Sequence, residues 1–369
     1  MYTKIMSVPS LDHEFELDFS GDAGLLCAVN VSGKLSHERM VGELTSMTTT
    51  ECDIHSACPP TLDHIVGQKR AVKQLKTAIE AVINDRAAAA GGSEPSLGHI
   101  LLVGPPGVGK SMLAHIIAHE LGSCIHEELA QNIHGPAILQ GLLMLADPHD
   151  CVFVDEVHEL HGMTQTTLYR SLEGRQIFLP PGPDGKRQVL ELPPFTFVAA
   201  TTDEWALARP LRDRFQIIAR LDYYSDDELA SLITQRARRL QWNITDAAVR
   251  AVASRGRGTP RLALRILEAT RRTARAEAAN NINIEHVRRM AEIEGLDHLG
   301  LDPLEQRYLT ILREAGQPVR LNVLATRLGL PRATIERVIE SDLIRLGLIS
   351  KDDSGRVLTT DGRRHVTRS

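Results

Sequence analysis

Four short runs in this chain carry the residue types that phosphate chemistry needs. The first is Gly104-Pro105-Pro106-Gly107-Val108-Gly109-Lys110-Ser111-Met112, a G-x-x-x-x-G-K-S pattern. Its glycines let the backbone turn tightly and bring N–H groups close to a polyphosphate. Lys110 is placed to reach the β and γ phosphates, and the Ser111 hydroxyl to hold magnesium. The second run, Cys151-Val-Phe-Val-Asp155-Glu156, is apolar and ends in two acids. Asp155 suits the orientation of Mg2+ and its waters, and Glu156 suits polarising an attacking water. The third, Phe195 to Thr202, ends in two hydroxyls that would sense the γ phosphate or the water. The fourth, Pro210-Leu-Arg212-Asp213-Arg214, sets two arginines at a turn. One of them would reach a neighbouring subunit's nucleotide, or else pair with Asp213 on the surface. Arg261, behind Gly258-Thr259-Pro260, would sense the γ phosphate from a helix start. The chemistry implied is hydrolysis of a nucleoside triphosphate, with Mg2+ as the expected metal; the motifs by themselves do not single out ATP.

Regular elements must hold these residues. Ile100 to Val103 reads as a buried strand, and Ser111 to Leu121 as the helix behind the glycine turn, the order that validates the phosphate loop. An amphipathic helix spans about Lys69 to Arg86, and another lies near Ile138 to Ala146. Strands are expected at Cys151 to Asp155, Phe195 to Thr202 and Ile217 to Leu221, with a helix over 163–174. Gln176 to Leu179 and Val189 to Leu192 flank the Pro/Gly run Pro180 to Arg187 and read as a hairpin. Its apolar Ile177, Phe178 and Leu179 would either pack on their own domain or grip a partner. Residues 226–293 read as helical throughout. Asp226 or Asp227 is the expected N-cap of Glu228 to Leu240, and Thr245-Asp246 opens the next helix.

Length, composition and charge narrow the class. A chain of 369 residues suits two or three domains, and 43% hydrophobic residues supply ample core. A net charge of −5 excludes an all-basic nucleic-acid coat. The charge is uneven: residues 1–60 hold 3 basic and 9 acidic side chains, residues 300–369 hold 12 basic and 9 acidic. The tail therefore suits a polyanion and the front does not. Five cysteines, an odd number, suit reduced thiols and a cytoplasmic location better than a disulfide frame. Cys52, His55 and Cys58 lack the second paired half of a metal site. The start shows no basic-then-apolar signal pattern, and no apolar run nears the ~20 residues of a membrane span. In the front, Phe15, Leu17 and Phe19 alternate with acids and suggest a strand, with Leu25 to Val31 as its pair.

The tail reads as helices over Pro303 to Ala315, Arg320 to Leu328 and Arg332 to Leu346. Leu348 to Ser350 and Arg356 to Thr359 follow as strand, turn and strand. Three helices and a hairpin make a winged helix. Arg332, Arg337 and Arg356 would contact DNA phosphates. No aromatic platform for stacking single-stranded bases is present.

From about Leu62 to Val366, the chain resembles the RuvB family of bacterial Holliday-junction branch-migration ATPases. The resemblance rests on Ile65-Val66-Gly67-Gln68, the phosphate loop, Asp155-Glu-Val-His158 and Leu192-Pro-Pro-Phe-Thr196. Ala200-Thr-Thr202, Pro210 to Phe215 and Gly258-Thr-Pro-Arg261 add to it. It implies an AAA+ α/β domain with a parallel sheet over 61–225, a helical lid over 226–298 and a winged helix over 299–369. Residues 1–60 stand before these as an acidic extension. The resemblance further implies ATP as the nucleotide, Ile65 and Val66 at the adenine and Thr202 as first sensor, with Thr201 as the near alternative. Arg214 becomes the arginine offered to the neighbouring subunit and Arg261 the second sensor. It implies a homo-oligomeric ring, most simply a hexamer, acting on duplex or four-way junction DNA. The hairpin would face a RuvA-like junction-binding partner. The alternative is an ATP-switched regulator, loader or protein remodeller that docks through its winged helix. Three stretches depart from the family pattern: Cys58-Pro-Pro-Thr61, the proline-rich hairpin tip, and Asp352-Asp353 in the wing.

Overall fold

A computed structural model describes residues 54, 58–88, 95–179 and 188–368. The strands expected at Phe15 to Phe19 and Leu25 to Val31, the Cys52 and His55 pair and the hairpin tip Pro180 to Lys186 lie outside the described residues.

The body is a five-stranded parallel sheet. Its strands are β1 (Ile100–Val103), β2 (Ile125–Leu129), β3 (Cys151–Asp155), β6 (Thr196–Thr201) and β7 (Ile217–Arg220), in the order β2-β3-β6-β1-β7. A separate hairpin pairs β4 (Gln176–Phe178) with β5 (Val189–Glu191). The apolar runs at β1, β3 and β6 are continuous because both faces of the sheet are covered. Ile100 and Leu102, Cys151 and Phe153, and Val198 and Ala200 enter one core. Their neighbours Leu101, Val152, Val154, Phe197 and Ala199 enter the other. The first face is covered by α1 (Lys69–Ala88) and α2 (Lys110–Glu120), the second by α3 (Pro136–Met144) and α4 (Gly162–Gly174). Register sets Val103 beside Thr201 and Leu129 beside Asp155. The phosphate loop, the two acids and the two threonines thus leave the same edge of the sheet, where open α/β sheets bind ligands.

A short α5 (Arg209–Arg212) precedes β7, and the lid follows. It comprises α6 (Asp226–Arg239), α7 (Asp246–Arg255), α8 (Pro260–Ala276) and α9 (Ile284–Glu294). Leu229, Ile233, Val252, Leu264 and Leu267 join the core of the first sheet face, so body and lid share apolar packing. The N-cap of α6 is Ser225, not Asp226 or Asp227. Its hydroxyl accepts from the Glu228 N–H, and the Glu228 carboxylate accepts from the Ser225 N–H, a reciprocal pair that neither aspartate completes. Thr245 caps α7 as expected.

The winged helix has its own core around Tyr308, Leu312, Leu324, Ile335, Ile339 and Leu343. Its helices are α10 (Pro303–Ala315), α11 (Leu321–Leu328) and a third run from Arg332 to Arg345. That third run is not one regular helix. α12 (Arg332–Thr334) passes through a π-helical stretch, Ile335–Glu340, into α13 (Ser341–Arg345). The wider turn holds Ile335, Ile339 and Glu340 together on the buried side. The wing is β8 (Ile349–Asp352) with β9 (Gly355–Leu358). A last helix, α14 (Thr360–Arg368), was not legible in the polar run Thr360-Asp-Gly-Arg-Arg, whose inward apolar signal rests on Val366. Its His365 Nε2 meets Asp297 Oδ2 at 2.7 Å and ties the helix to the end of the lid. Among the described residues, no helix is long and apolar enough to cross a membrane.

His99, one residue before β1, makes the fold acid-sensitive. Its Nδ1 accepts the Phe197 N–H at 3.1 Å, and the Phe195 ring lies 5.9 Å away. Burial, with a smaller push from Arg175, brings its pKa down to about 4. The unfolded chain therefore takes up a proton that the folded chain refuses between pH 6.5 and 4. Stability is full above pH 6.5 and falls as pH drops through this window, by about 2 kcal/mol at pH 5 from this group. Urea unfolding of wild type and His99→Gln at pH 7 and pH 5 checks this: the variant should lose less stability on acidification.

Candidate active site

The phosphate loop takes its shape from two close approaches. A side chain at Gly104 would place its Cβ 2.5 Å from the Leu221 carbonyl oxygen. Gly107 has φ +77°, and a Cβ there would meet Thr259 Cγ2 of the lid at 2.8 Å. Only glycine fits both the backbone and the space. The helix behind the loop begins at Lys110 itself, one residue earlier than the apolar spacing suggests. Lys110 is only 5% exposed. Its Nζ donates to the carbonyls of Gly104 (2.9 Å) and Pro105 (3.2 Å) and lies 3.9 Å from Glu156 Oε1. Burial lowers its pKa, while Glu156 and Asp155 push the other way. The strand-end acids thus help keep a buried ammonium charged.

Ser111 Oγ donates to Asp155 Oδ2 at 2.8 Å, and Asp155 Oδ1 accepts the Glu156 N–H. These two side chains form an all-oxygen donor set, the kind that suits a hard cation such as Mg2+. Glu156 sits at φ +50°, in the left-handed region that a non-glycine residue occupies at a cost of order 1–3 kcal/mol. That kink turns its carboxylate toward Thr202, whose N–H and Oγ1 both donate to Glu156 Oε2 at 3.1 Å. The geometry separates the two threonines. Thr201 is fully buried, and its Oγ1 meets His158 Nδ1 at 3.0 Å and accepts the Asp203 N–H. Thr202 is the one at the Glu156 carboxylate. His158 lies 3.3 Å from Glu156 Oε2 and closes the ring of partners behind it.

A cavity of about 240 Å³ opens over these groups. Gly107, Val108, Gly109, Lys110, Ser111, Met112, Asp155 and Glu156 line it from the body, and Arg261 lines it from the lid. The Arg261 N–H donates to the Gly107 carbonyl at 3.2 Å, joining lid to loop. Tyr224, Leu232, Arg236, Leu264 and Cys58 also line the cavity and were missed in the sequence. They carry no local motif; the fold brings them in from the lid and from the segment before α1. Ile65 and Val66 do not line it. Val66 faces a separate groove of about 620 Å³ beside Ala230, Thr234 and Val249, and Ile65 packs on the core.

Arg214 is also off the cavity: its Nη2 meets Glu173 Oε1 of α4 at 2.5 Å. Arg212 instead lies over the exposed Trp205 ring, 4.8 Å from its centroid.

Residues 57–221 match the Holliday junction DNA helicase RuvB P-loop domain, 224–297 the RuvB AAA lid domain, and 298–367 the RuvB C-terminal winged helix domain. The chain belongs to the RuvB family. It is 37% identical over 312 residues to the Holliday junction branch migration complex subunit RuvB of Rubrobacter xylanophilus, covering 84% of this chain and 86% of that protein. The Thermotoga maritima RuvB Holliday junction branch migration motor superposes with a TM-score of 0.71 at 34% identity, covering 84% of this chain and 98% of that one. A proline-to-glycine mutant of the same Thermotoga RuvB gives 0.72. As a RuvB-family member the protein is an AAA+ ATPase, and the cavity lies at the phosphate loop of its P-loop domain.

Two expected contacts of the RuvB-like body and wing need correction. Arg356 is not offered to DNA. It is 7% exposed; its Nε donates to Glu340 Oε1 at 2.8 Å and its Nη2 to Glu336 Oε1 at 3.0 Å. Tyr308 completes this buried cluster through a 3.0 Å bond to Glu340. The reason is register: Val319 bridges Arg356, and that pairing turns the arginine under the wing. Arg332 and Arg337 are exposed. In the hairpin, Ile177 is fully buried and belongs to the body core, and Leu179 packs against that core. Among the described residues of the hairpin, Phe178 (51% exposed), Val189 and Leu190 are the exposed large apolar side chains.

Proposed function

We propose that the protein hydrolyses ATP with Mg2+ at the interfaces of a homo-oligomeric ring, most simply a hexamer. The free energy would drive duplex DNA, and four-way junctions in particular, past that ring. One observation carries this reading. Lys110, Ser111, Asp155, Glu156 and Arg261 gather at one cavity with Thr202 bonded to Glu156 behind it, while Arg214 stands off the cavity on Glu173. An arginine on the outside of an otherwise complete site is one a neighbouring subunit can use.

Each side chain then has a task. Lys110 and the loop N–H groups bind the β and γ phosphates. Ser111 and Asp155 would hold Mg2+, which supplies charge neutralisation at the phosphates when bound. Glu156, oriented by Thr202, takes the proton of the attacking water. Arg261 contacts the γ phosphate from the lid, and the neighbour's Arg214 stabilises the charge that develops in the transition state. Arg332 and Arg337 offer phosphate contacts on the exposed face of the winged helix. The exposed Phe178, Val189 and Leu190 suit a RuvA-like partner on the hairpin.

The test is steady-state ATP hydrolysis at one stated low salt with no DNA, linear duplex or a synthetic four-way junction. Stimulation of about tenfold or more by the junction is expected, since each tenfold is only about 1.4 kcal/mol of barrier. A basal rate that neither DNA changes, with or without a junction-binding partner, points instead to an ATP-switched regulator or a protein remodeller.

A further inference from the structure

The turn Gly256 to Thr259, between α7 and α8, leads into Arg261 and touches both ends of the motor. On one side it lies on the phosphate loop. Arg261 N–H donates to the Gly107 carbonyl, and the Tyr224 N–H donates to the Gly258 carbonyl at 2.9 Å. On the other side Arg257, at φ +48°, crosses to the winged helix. Its Nη1 donates to Glu305 Oε1 in the first turn of α10 at 2.7 Å and lies 3.7 Å from Asp342 Oδ2 in α13. The two side chains of the Arg257–Glu305 pair are 10% and 6% exposed. Asp342 Oδ1 accepts Arg345 Nη2 at 3.0 Å, and the Arg345 guanidinium stacks 4.0 Å above the ring of Tyr223. Tyr223 precedes Tyr224, which lines the nucleotide cavity.

A buried ion pair is a poor source of net stability, because desolvation offsets most of its attraction. Its geometry is directional, however, and holds the two parts it joins at one angle. Here the joined parts are the turn that rides on the phosphate loop and the helical run Arg332 to Arg345 that carries Arg332 and Arg337. We infer that Arg257 is a positioning residue that couples the nucleotide site to the winged helix. A shift of the turn on the loop is passed by Arg257 to Glu305 and Asp342, and so sets the angle at which that run meets DNA. The inference rests on the DNA-motor reading. By linkage, DNA binding changes nucleotide affinity by the same factor.

The experiment titrates a fluorescently labelled four-way junction with the full chain, at fixed salt, in ADP and in a non-hydrolysable ATP analogue. Wild type, Arg257→Gln and Asp342→Asn are compared. In wild type the two dissociation constants should differ by about fivefold or more, and in Arg257→Gln by less than about twofold, with nucleotide affinity in the absence of DNA held within about twofold. Asp342→Asn keeps the Arg257–Glu305 pair and should lose part of the ratio. A general loosening of the fold would weaken binding in both nucleotide states and leave the ratio alone. Retention of the wild-type ratio in Arg257→Gln overturns the inference. If that variant does not fold, an undiminished ratio in Asp342→Asn overturns it. Wild type that binds DNA equally in both states overturns the inference and leaves the functional reading standing; wild type that binds no DNA overturns both.

Discussion

Glu156→Gln should reduce kcat by about 10²–10⁴-fold, the range for losing a positioned general base, and leave nucleotide affinity within a few-fold. The split follows from the geometry. The carboxylate approaches Lys110 Nζ no closer than 3.9 Å, so the amide costs the phosphate cradle little. An amide oxygen can still accept from the Thr202 N–H and hydroxyl, so the side chain keeps its orientation and loses only its basicity. Phosphate release under saturating ATP gives kcat, and titration with a fluorescent nucleotide gives the affinity. A variant that turns over within tenfold of wild type would move the base elsewhere, with His158 the nearest other candidate at 3.3 Å.

Arg214→Ala should cost about 10³–10⁵-fold in kcat, as expected for an arginine supplied to the transition state from outside the site. Mixing distinguishes that role from a structural one. Glu156→Gln and Arg214→Ala are each inactive alone. In a mixed ring, an Arg214→Ala subunit with its intact Glu156 can sit beside a Glu156→Gln subunit that supplies Arg214. Activity should therefore return to a sizeable fraction of wild type. If Arg214 served its own subunit, no mixture would be active. The Glu173 pair fits the first case: it holds the guanidinium on the body's surface, away from the chain's own Lys110 and Arg261.

The chemistry was legible in the sequence wherever it is local. The phosphate loop, the acids after β3 and the hydroxyls after β6 each sit on one strand end, and one strand fixes where they point. Asp226 and Asp227 are stronger-looking caps than Ser225 by residue type, although only the residue before them completes the reciprocal bonds. Arg356 and Ile177 depart from expectation for a different reason. Both lie in short strands whose inward face depends on the partner strand, and Arg356, besides pairing with Lys351 in the wing, bridges Val319 outside it. Tyr224, Arg236 and Leu264 could not be found from spacing at all. They reach the cavity only because α6, with Tyr224 just before it, and α8 pack over the phosphate loop through the shared core. The broken third helix of the winged helix has the apolar spacing of a regular one, with Ile335, Ile339 and Leu343 four apart, so the π-helical stretch leaves no mark in the pattern.

The central claim is that hydrolysis across subunit interfaces moves DNA. The most direct measurement is ATP-dependent dissociation of a synthetic mobile four-way junction into its two duplex products, with wild type, Glu156→Gln, Arg214→Ala and the mixture of the two variants. A junction-binding partner is added in parallel. The account predicts product with wild type and ATP, none with either variant alone, and partial recovery in the mixture. Junction left intact by a wild-type protein that hydrolyses ATP at full rate, with the partner present, would contradict it.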